Sequence, residues 1–174
     1  MVMIEGERGE SQSEGPTLHF LSGKAGSGKS TIAARIAHEN SAVLISEDIW
    51  LFRLYGDQMK TFEDYLRFSK NLKEVVGPLA TNLLRLENSV VLDFPANTAA
   101  SRTWYRSIFE NANAAHVLHH VATTDEVCLQ RIEKRNAERP EGSHHLTKED
   151  FVYISSFFEA PGDAEGFNVR LYPS

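Results

Sequence analysis

The segment Gly23-Lys24-Ala25-Gly26-Ser27-Gly28-Lys29-Ser30 decides the fold of this chain. At every fixed position it matches the phosphate-binding pattern of glycine, four variable residues, glycine, lysine and then serine or threonine. The glycines let successive backbone N–H groups curl round a polyphosphate, and a following helix adds the favourable dipole of its N-terminus. The segment therefore predicts a binding site for a nucleoside triphosphate.

The residues on either side of this loop form the context that such a loop requires. Residues 18–21 are a short apolar run that predicts a buried strand, and residues 31–37 carry apolar side chains at helical spacing. This order favours a phosphate loop over a chance glycine-rich turn. We assign nucleotide contacts to Gly23, Lys24, Ala25, Gly26, Ser27, Gly28, Lys29, Ser30 and Thr31. Within the loop, we expect Lys29 to reach the outer phosphates and the Ser30 hydroxyl to bind Mg²⁺.

The composition indicates one globular domain. The chain has 174 residues, of which 41% are hydrophobic, and no run of apolar residues is long enough to span a membrane. Residues 1–16 are polar and acidic, so we expect a disordered tail before a single domain at 17–174. The lone cysteine, Cys128, fits a reducing cytoplasm. The net charge of −6 argues against broad binding to long nucleic acids, although a local basic groove for one strand end stays compatible with it.

Five short apolar segments alternate with helical patterns along the domain. We predict strands at 18–21, 42–45, 89–93, 115–122 and 167–171. Strands that alternate with helices predict a three-layer α/β fold, with a mostly parallel five-stranded sheet covered on both faces. Residues 61–86 predict one or two long amphipathic helices, broken or bent near Gly77-Pro78, with Thr61 and Asp64 forming a capping box.

Acidic residues follow two of the predicted strands, at the edge of the sheet where ligands bind in this fold class. Asp48 or Glu47 ends the second strand, where a carboxylate could accept a proton from an attacking hydroxyl or merely cap the next turn. Asp93 ends the third strand and is a candidate to hold Mg²⁺ directly or through water. On the following helix, Arg102 could hold an anionic acceptor or could simply be solvated.

The last third of the chain contains two further patterns. His119 and His120 resemble a metal-binding pair, but neighbours on a strand point to opposite faces, so we favour structural histidines. Arg131, Arg135 and Arg139 recur at spacing four and form one stripe on a helix. The stripe is either a solvated basic face or part of a mobile lid, residues 131–146, whose arginines close over a transferring phosphoryl group.

Taken in order, these motifs resemble the small phosphate-loop kinases that include polynucleotide 5′-hydroxyl kinases, zeta toxins and chloramphenicol phosphotransferase. The matching residues are the loop at 23–30, Ser-Glu-Asp at 46–48, Leu-Asp at 92–93, the segment 97–102, the pair Arg131 and Arg135, and the stretch 161–167. The resemblance implies an ATP- and Mg²⁺-dependent kinase in which Asp48 is the base and Arg131 and Arg135 are lid arginines. It also implies a role for Arg102 on the substrate side.

The sequence departs from polynucleotide kinases three residues after the implied base. Many of those enzymes carry an arginine there, whereas this chain has Leu51 between Trp50 and Phe52. An apolar wall at this place favours a small-molecule hydroxyl acceptor over a polynucleotide end or a nucleotide-sugar, and Arg53 could partly compensate. A rival of another class is a switch or interaction protein that hydrolyses ATP slowly without any acceptor.

Overall fold

The computed structural model describes residues 15–173. Within this range five β-strands run at Thr17–Ser22 (β1), Val43–Ser46 (β2), Val90–Pro95 (β3), Ala115–Ala122 (β4) and Val169–Pro173 (β5). The α-helices of the same range run at Lys29–Glu39 (α1), Glu47–Tyr55 (α2), Phe62–Arg85 (α3), Ala99–Ala112 (α4), Asp125–Glu138 (α5) and Lys148–Ser155 (α6). Short 3-10 turns lie at Gly56–Gln58 and Asp163–Glu165. The predicted tail at 1–16 lies almost wholly outside the described residues.

The strands form one sheet in the order β2-β3-β1-β4-β5, and every neighbouring pair is parallel. This confirms the predicted three-layer α/β fold with a five-stranded sheet. Since the strands are parallel, their carboxyl ends share one edge of the sheet. The phosphate loop follows β1 at this edge, Asp93 lies near the end of β3, and Glu47 and Asp48 follow β2 directly.

The two faces of the sheet are covered by different helices, because side chains alternate along each strand. Leu18 and Phe20 of β1 pack in the larger core cluster, to which α3 and α4 contribute. Leu21, on the other face, packs with Ala33 and Ile36 of α1 in a smaller cluster. Among residues 15–173, no helix is both long and apolar enough to cross a lipid bilayer.

Helix α3 is continuous over 24 residues, so of the two predicted alternatives the single long helix is correct and the break near Pro78 is absent. The Thr81 hydroxyl donates to the carbonyl oxygen of Gly77 at 3.0 Å, one residue before the proline. At the N-terminus of the helix, Thr61 and Asp64 form the predicted capping box, with both hydrogen bonds at 3.1 Å.

Helix α2 was not predicted from the sequence. Its residues, Glu47–Tyr55, are apolar on several sides, so no regular helical stripe marks them. Ser46 precedes it in extended conformation, and Glu47 and Asp48 occupy its first turn. The helix therefore fixes both candidate acids directly beside the carboxyl end of β2, where negative charge is favoured by the helix dipole.

Candidate active site

The phosphate loop has a backbone that only glycine supplies without strain at two positions. Gly26 has φ +73°, and a Cβ placed on it would lie 2.5 Å from the carbonyl oxygen of Cys128 in α5. Gly28 has φ +99° and is the residue before α1. The loop is also held from outside, because the Gly23 N–H donates to the side-chain oxygen of Asn97 at 2.9 Å. These contacts fix the loop before any ligand arrives.

Lys29 is the first residue of α1 and folds back onto the loop. Its ammonium donates to the carbonyl oxygens of Gly23 at 2.7 Å and Lys24 at 2.9 Å. Burial lowers the pKa of Lys29, while the nearby carboxylates of Asp93 and Asp48 oppose this effect. The structure thus brings together the lysine and both acids that the sequence proposed for the site.

Ser30 and Asp93, the two proposed Mg²⁺ ligands, lie next to each other. The Ser30 side chain hydrogen-bonds to the Asp93 carboxylate, and the Ser46 hydroxyl donates to Asp93 Oδ2 at 3.4 Å. Burial raises the pKa of Asp93. A hydroxyl and a carboxylate suit Mg²⁺, which prefers oxygen ligands and usually keeps waters or substrate phosphates as the others. Among residues 15–173, no group of three or more His, Cys, Asp or Glu side chains is arranged to hold a metal ion.

Glu47 and Asp48 are neighbours in sequence but differ in what their carboxylates contact. Glu47 is only 1% exposed, and its oxygens accept hydrogen bonds from the hydroxyls of Tyr65 at 3.0 Å and Ser69. Asp48 is exposed and lies near Lys29, Asp93 and Arg135. Glu47 therefore anchors α2 to α3, and Asp48 is the carboxylate available to a ligand.

The surroundings of Asp48 adjust its acidity. Restricted hydration raises the pKa of Asp48 to about 6, and the negative charge of Asp93 acts in the same direction. The positive charges of Arg135 and Lys29 oppose the rise. A carboxyl group with this pKa is mostly ionised at neutral pH and is a stronger proton acceptor than an ordinary aspartate.

Two of the three arginines in the predicted stripe, Arg131 and Arg135 of α5, lie at the site. The guanidinium of Arg131 donates to the carbonyl oxygen of Ser27 at 2.8 Å. Arg135 acts electrostatically on both Lys29 and Asp48, and its Nε is buried without a hydrogen-bond partner among residues 15–173. Arg139 is exposed at the end of the helix. An unpaired buried guanidinium nitrogen is expensive, so the position of Arg135 suits an anionic ligand.

The connection after α5 packs beside the candidate base. Gly142 is buried there, and a Cβ on it would lie 3.1 Å from the carbonyl group of Asp48. Glu141 accepts two hydrogen bonds from the Arg53 guanidinium of α2, at 2.9 and 3.2 Å. The His144 ring lies edge-on to Tyr65 with centroids 6.3 Å apart. Residues 141–144 of the proposed lid thus contact α2 and Tyr65 of α3, and an opening motion of the lid stays a prediction.

Arg102 does not occupy the position that the sequence predicted for it. Its side chain is 1% exposed and pairs with both carboxylate oxygens of Glu165 at 2.7 and 2.8 Å. It also donates to the carbonyl oxygens of Ala96 and Glu159. Because its donors are already used inside the protein, Arg102 joins the segment before β5 to α4 rather than facing a substrate.

Leu51 is also placed differently from its predicted role. It is completely buried in the main core cluster, because it lies on the inner face of α2. Trp50 is half-buried against the same cluster, and the exposed residue of this group is Phe52. The wall inferred from residues 50–52 therefore does not exist as one surface. The departure at Leu51 does not by itself select the acceptor.

The histidine pair has the structural character that was favoured. His119 hydrogen-bonds to His19 and Tyr172, whereas the His120 ring stacks on Phe158 with centroids 6.1 Å apart. The two rings thus have separate neighbours, as expected for adjacent residues of one strand.

The sheet is parallel, a glycine-rich loop joins β1 to α1, and Asp48 and Asp93 lie at the carboxyl ends of β2 and β3. These features define a nucleotide-binding protein with the phosphate-loop kinase fold. The chain belongs to the AAA domain family, whose sequence profile matches residues 18–161. It is also 30% identical over 169 residues to the adenylyl-sulfate kinase of Shewanella denitrificans, an alignment that covers 91% of this chain and 75% of that enzyme.

Solved structures show the same fold. Chaetomium thermophilum Kti12, determined in complex with ADP-AlF3, superposes with a TM-score of 0.67 at 17% identity, covering 90% of this chain and 88% of the other. The Mycobacterium tuberculosis APS kinase CysC, in complex with AMPPNP and APS, superposes with a TM-score of 0.56 at 22% identity and covers 84% and 83% of the two chains. The narrower resemblance to polynucleotide kinases, zeta toxins and chloramphenicol phosphotransferase stays a prediction.

Proposed function

We propose that this protein is an ATP- and Mg²⁺-dependent phosphotransferase that transfers the γ-phosphoryl group to a hydroxyl of a small-molecule acceptor. The observation that carries the proposal is the position of Asp48. It is exposed beside Lys29, Asp93 and Arg135, with a raised pKa, whereas its neighbour Glu47 is buried and hydrogen-bonded. A nucleotide switch needs no such proton acceptor.

In the proposed reaction, the acceptor oxygen attacks the γ-phosphorus while the bond to the bridging oxygen of ADP breaks. Asp48 holds the acceptor hydroxyl and takes its proton, which later passes to solvent. Help from a positioned base of this kind contributes roughly 10²–10⁴ in rate. A pKa of about 6 leaves Asp48 ionised at neutral pH and able to accept that proton.

The cationic side chains of the site have the complementary task. The loop amides and Lys29 hold the phosphate oxygens, and Arg131 and Arg135 neutralise charge as the phosphoryl group moves. Ser30 and Asp93 would hold Mg²⁺, which supplies further neutralisation of the triphosphate when bound. Correct placement of these groups, rather than covalent chemistry by the protein, accounts for the expected rate.

The acceptor is proposed as a small molecule because one relative of this chain phosphorylates adenylyl sulfate according to its name. Adenylyl sulfate is therefore the first acceptor to test, beside a nucleotide-sugar and a 5′-hydroxyl oligonucleotide. We further propose that the protein acts in the cytoplasm, where the free, buried thiol of Cys128 would stay reduced.

The test is transfer of labelled γ-phosphate from ATP to each of these acceptors, with nucleosides and sugars added to the panel. The variants are Lys29→Ala and Asp48→Asn, with Asp57→Asn as the matched control, since Asp57 is exposed in the turn after α2. We expect transfer to one acceptor class that needs Mg²⁺, is lost in both site variants and persists in the control.

Slow ATP hydrolysis without transfer to any acceptor, unaffected by Asp48→Asn, would contradict the proposal and favour a switch. Transfer to the oligonucleotide alone would support the kinase activity but show that the acceptor is a polynucleotide end and not a small molecule. If the Asp48→Asn protein binds ATP normally but loses transfer, the substitution affects the chemical step and not nucleotide binding.

A further inference from the structure

A chain of three hydrogen-bonded side chains lies on the α1 face of the sheet and takes no part in the proposed reaction. His19 Nδ1 is 3.0 Å from His119 Nε2, and His119 Nδ1 is 2.9 Å from the Tyr172 hydroxyl. His19 and His119 are 7% and 2% exposed, respectively. The chain joins β1, β4 and β5 and ends at the half-buried Tyr172.

The protonation states of these three side chains leave one hydrogen-bond donor unused. Burial lowers the pKa of His19 to about 4 and that of His119 to about 3, so both rings are neutral at physiological pH. A neutral imidazole carries one N–H, and a tyrosine hydroxyl one O–H. If Tyr172 donates to His119 and His119 to His19, the remaining N–H of His19 is left over. If the direction is reversed, the Tyr172 O–H is left over.

A cavity of about 670 Å³ opens beside this chain. We call it the histidine pocket. Its polar lining includes His19, His119, Tyr172, Arg35, Arg170 and Asn168, and one carboxylate, that of Glu39. The guanidinium carbons of Arg35 and Arg170 lie 5.9 and 5.7 Å from the centroid of the Tyr172 ring. Two positive charges therefore meet at the same aromatic side chain, next to the end of the hydrogen-bond chain.

The positive charge of the histidine pocket is only partly balanced. Arg35 has one carboxylate neighbour, Glu39, at 3.9 Å, and both side chains of that pair are more than half exposed. Arg170 forms no ion pair among residues 15–173, and its charge contributes to the lowered pKa of His119. In a protein of net charge −6, a cavity lined by two arginines and one glutamate, Glu39, is a local excess of positive charge.

We propose that the histidine pocket is a second anion site, distinct from the phosphate loop, which binds inorganic phosphate or the phosphate group of a small phosphorylated metabolite. Arg35 and Arg170 provide the charge and the forked donors that suit a phosphate group. The hydrogen-bond chain adds one donor from its unused end, and anion binding selects the direction of that chain. The inference goes beyond the proposed kinase activity and does not depend on it.

The test follows the ring nitrogens of His19 and His119 by long-range proton–nitrogen NMR. The phosphate loop is first saturated with Mg²⁺ and a non-hydrolysable ATP analogue, since that loop also binds anions. Inorganic phosphate is then titrated at constant ionic strength, and glycerol 3-phosphate serves as the ester in a second titration. The variants are Arg35→Gln and Arg170→Gln, with Lys70→Gln as a control of equal charge change on the exposed side of α3.

We expect saturable shifts of both histidines, with each arginine variant weakening binding about tenfold, as for a lost charge-assisted hydrogen bond. The Lys70→Gln protein should bind like the wild type. Saturation by phosphate alone, by the ester alone or by both supports the site and identifies the anion. Shifts that do not saturate up to tens of millimolar, or saturable shifts that neither arginine variant weakens, overturn it.

Discussion

The Asn97 side chain, two residues after β3, accepts a hydrogen bond from the N–H of Gly23, the first glycine of the phosphate loop, at 2.9 Å. The backbone carbonyl of Asn97 also accepts a hydrogen bond from Glu159 N–H at 2.8 Å. One residue therefore joins the nucleotide loop to the segment that leads into β5. Its side chain and its backbone serve different partners, which allows the two to be separated by mutation.

Asn97→Ala should weaken nucleotide binding. The substitution keeps the backbone contact to Glu159 and leaves the Gly23 N–H without its partner, which costs roughly 1–3 kcal/mol if the group stays buried. We expect about fivefold to tenfold weaker binding of a fluorescent ATP analogue. The control is Asn71→Ala on the exposed face of α3. A lower melting temperature with unchanged nucleotide affinity would show that Asn97 contributes to stability alone.

The rate of transfer should depend on pH through Asp48. With a pKa of about 6, the fraction of ionised base increases tenfold per pH unit well below that value and levels off above it. The rate at limiting acceptor should therefore rise and reach a plateau near neutral pH. Arg135→Gln removes a charge that lowers this pKa, so its midpoint should move to higher pH. A profile that is flat from pH 5 to 8 would exclude Asp48 as the base.

Asp48→Asn should stabilise the fold at neutral pH. The pKa of Asp48 rises from 3.8 to about 6 on folding, so the folded protein binds the proton more tightly than the unfolded chain. Stability consequently falls as pH rises between these values, because ionised Asp48 is less favourable in the folded protein. The variant should melt at a higher temperature than the wild type at pH 7.5, and the difference should disappear below about pH 4. A lower melting temperature at pH 7.5 would contradict this.

Arg135→Gln should reduce the rate far more than it affects stability. A well-placed arginine is worth about 10³–10⁵ in phosphoryl transfer. The buried Nε of Arg135 has no hydrogen-bond partner among residues 15–173, which leaves it free to bind a phosphate oxygen. Arg139→Gln, one helical turn further along and exposed, is the matched control and should keep nearly full activity. Equal kcat values for the two variants would remove Arg135 from the proposed mechanism.

Arg102→Ala should destabilise the protein without a specific effect on the acceptor. The substitution leaves Glu165 without its bidentate partner and removes hydrogen bonds to the buried carbonyl group of Ala96 and the partly buried carbonyl group of Glu159. Breaking a buried ion pair on one side typically costs about 3–5 kcal/mol, measured here by urea unfolding. Normal stability combined with a raised KM for the acceptor would instead restore the substrate role predicted from the sequence.

Features set by neighbouring residues could be predicted from the sequence. The phosphate loop is encoded within eight consecutive residues, the fourth strand has the predicted limits, and the Thr61–Asp64 capping box depends on a spacing of three. Asp48 and Asp93 were candidates because parallel strands end at a common edge of the sheet.

Features that depend on distant parts of the chain could not be predicted in this way. Arg102 is neutralised by Glu165, which is 63 residues away, and nothing near Arg102 indicates this partner. Leu51 and Phe52 are adjacent apolar residues, and only the packing of α2 decides that Leu51 is buried and Phe52 is exposed. The link between His19 and His119 spans 100 residues, and the sequence predicted neither the pair nor the pocket beside it.

The strand order has a consequence for how the protein is made. The central strand β1 precedes the phosphate loop, yet its two neighbours are β3 and β4, which are complete only at Pro95 and Ala122. Parallel pairings between such distant segments carry a large loop-closure cost and form slowly. During synthesis, the phosphate loop is therefore made long before the strands that hold it in place. We expect the ability to capture ATP to arise late in synthesis, together with the sheet.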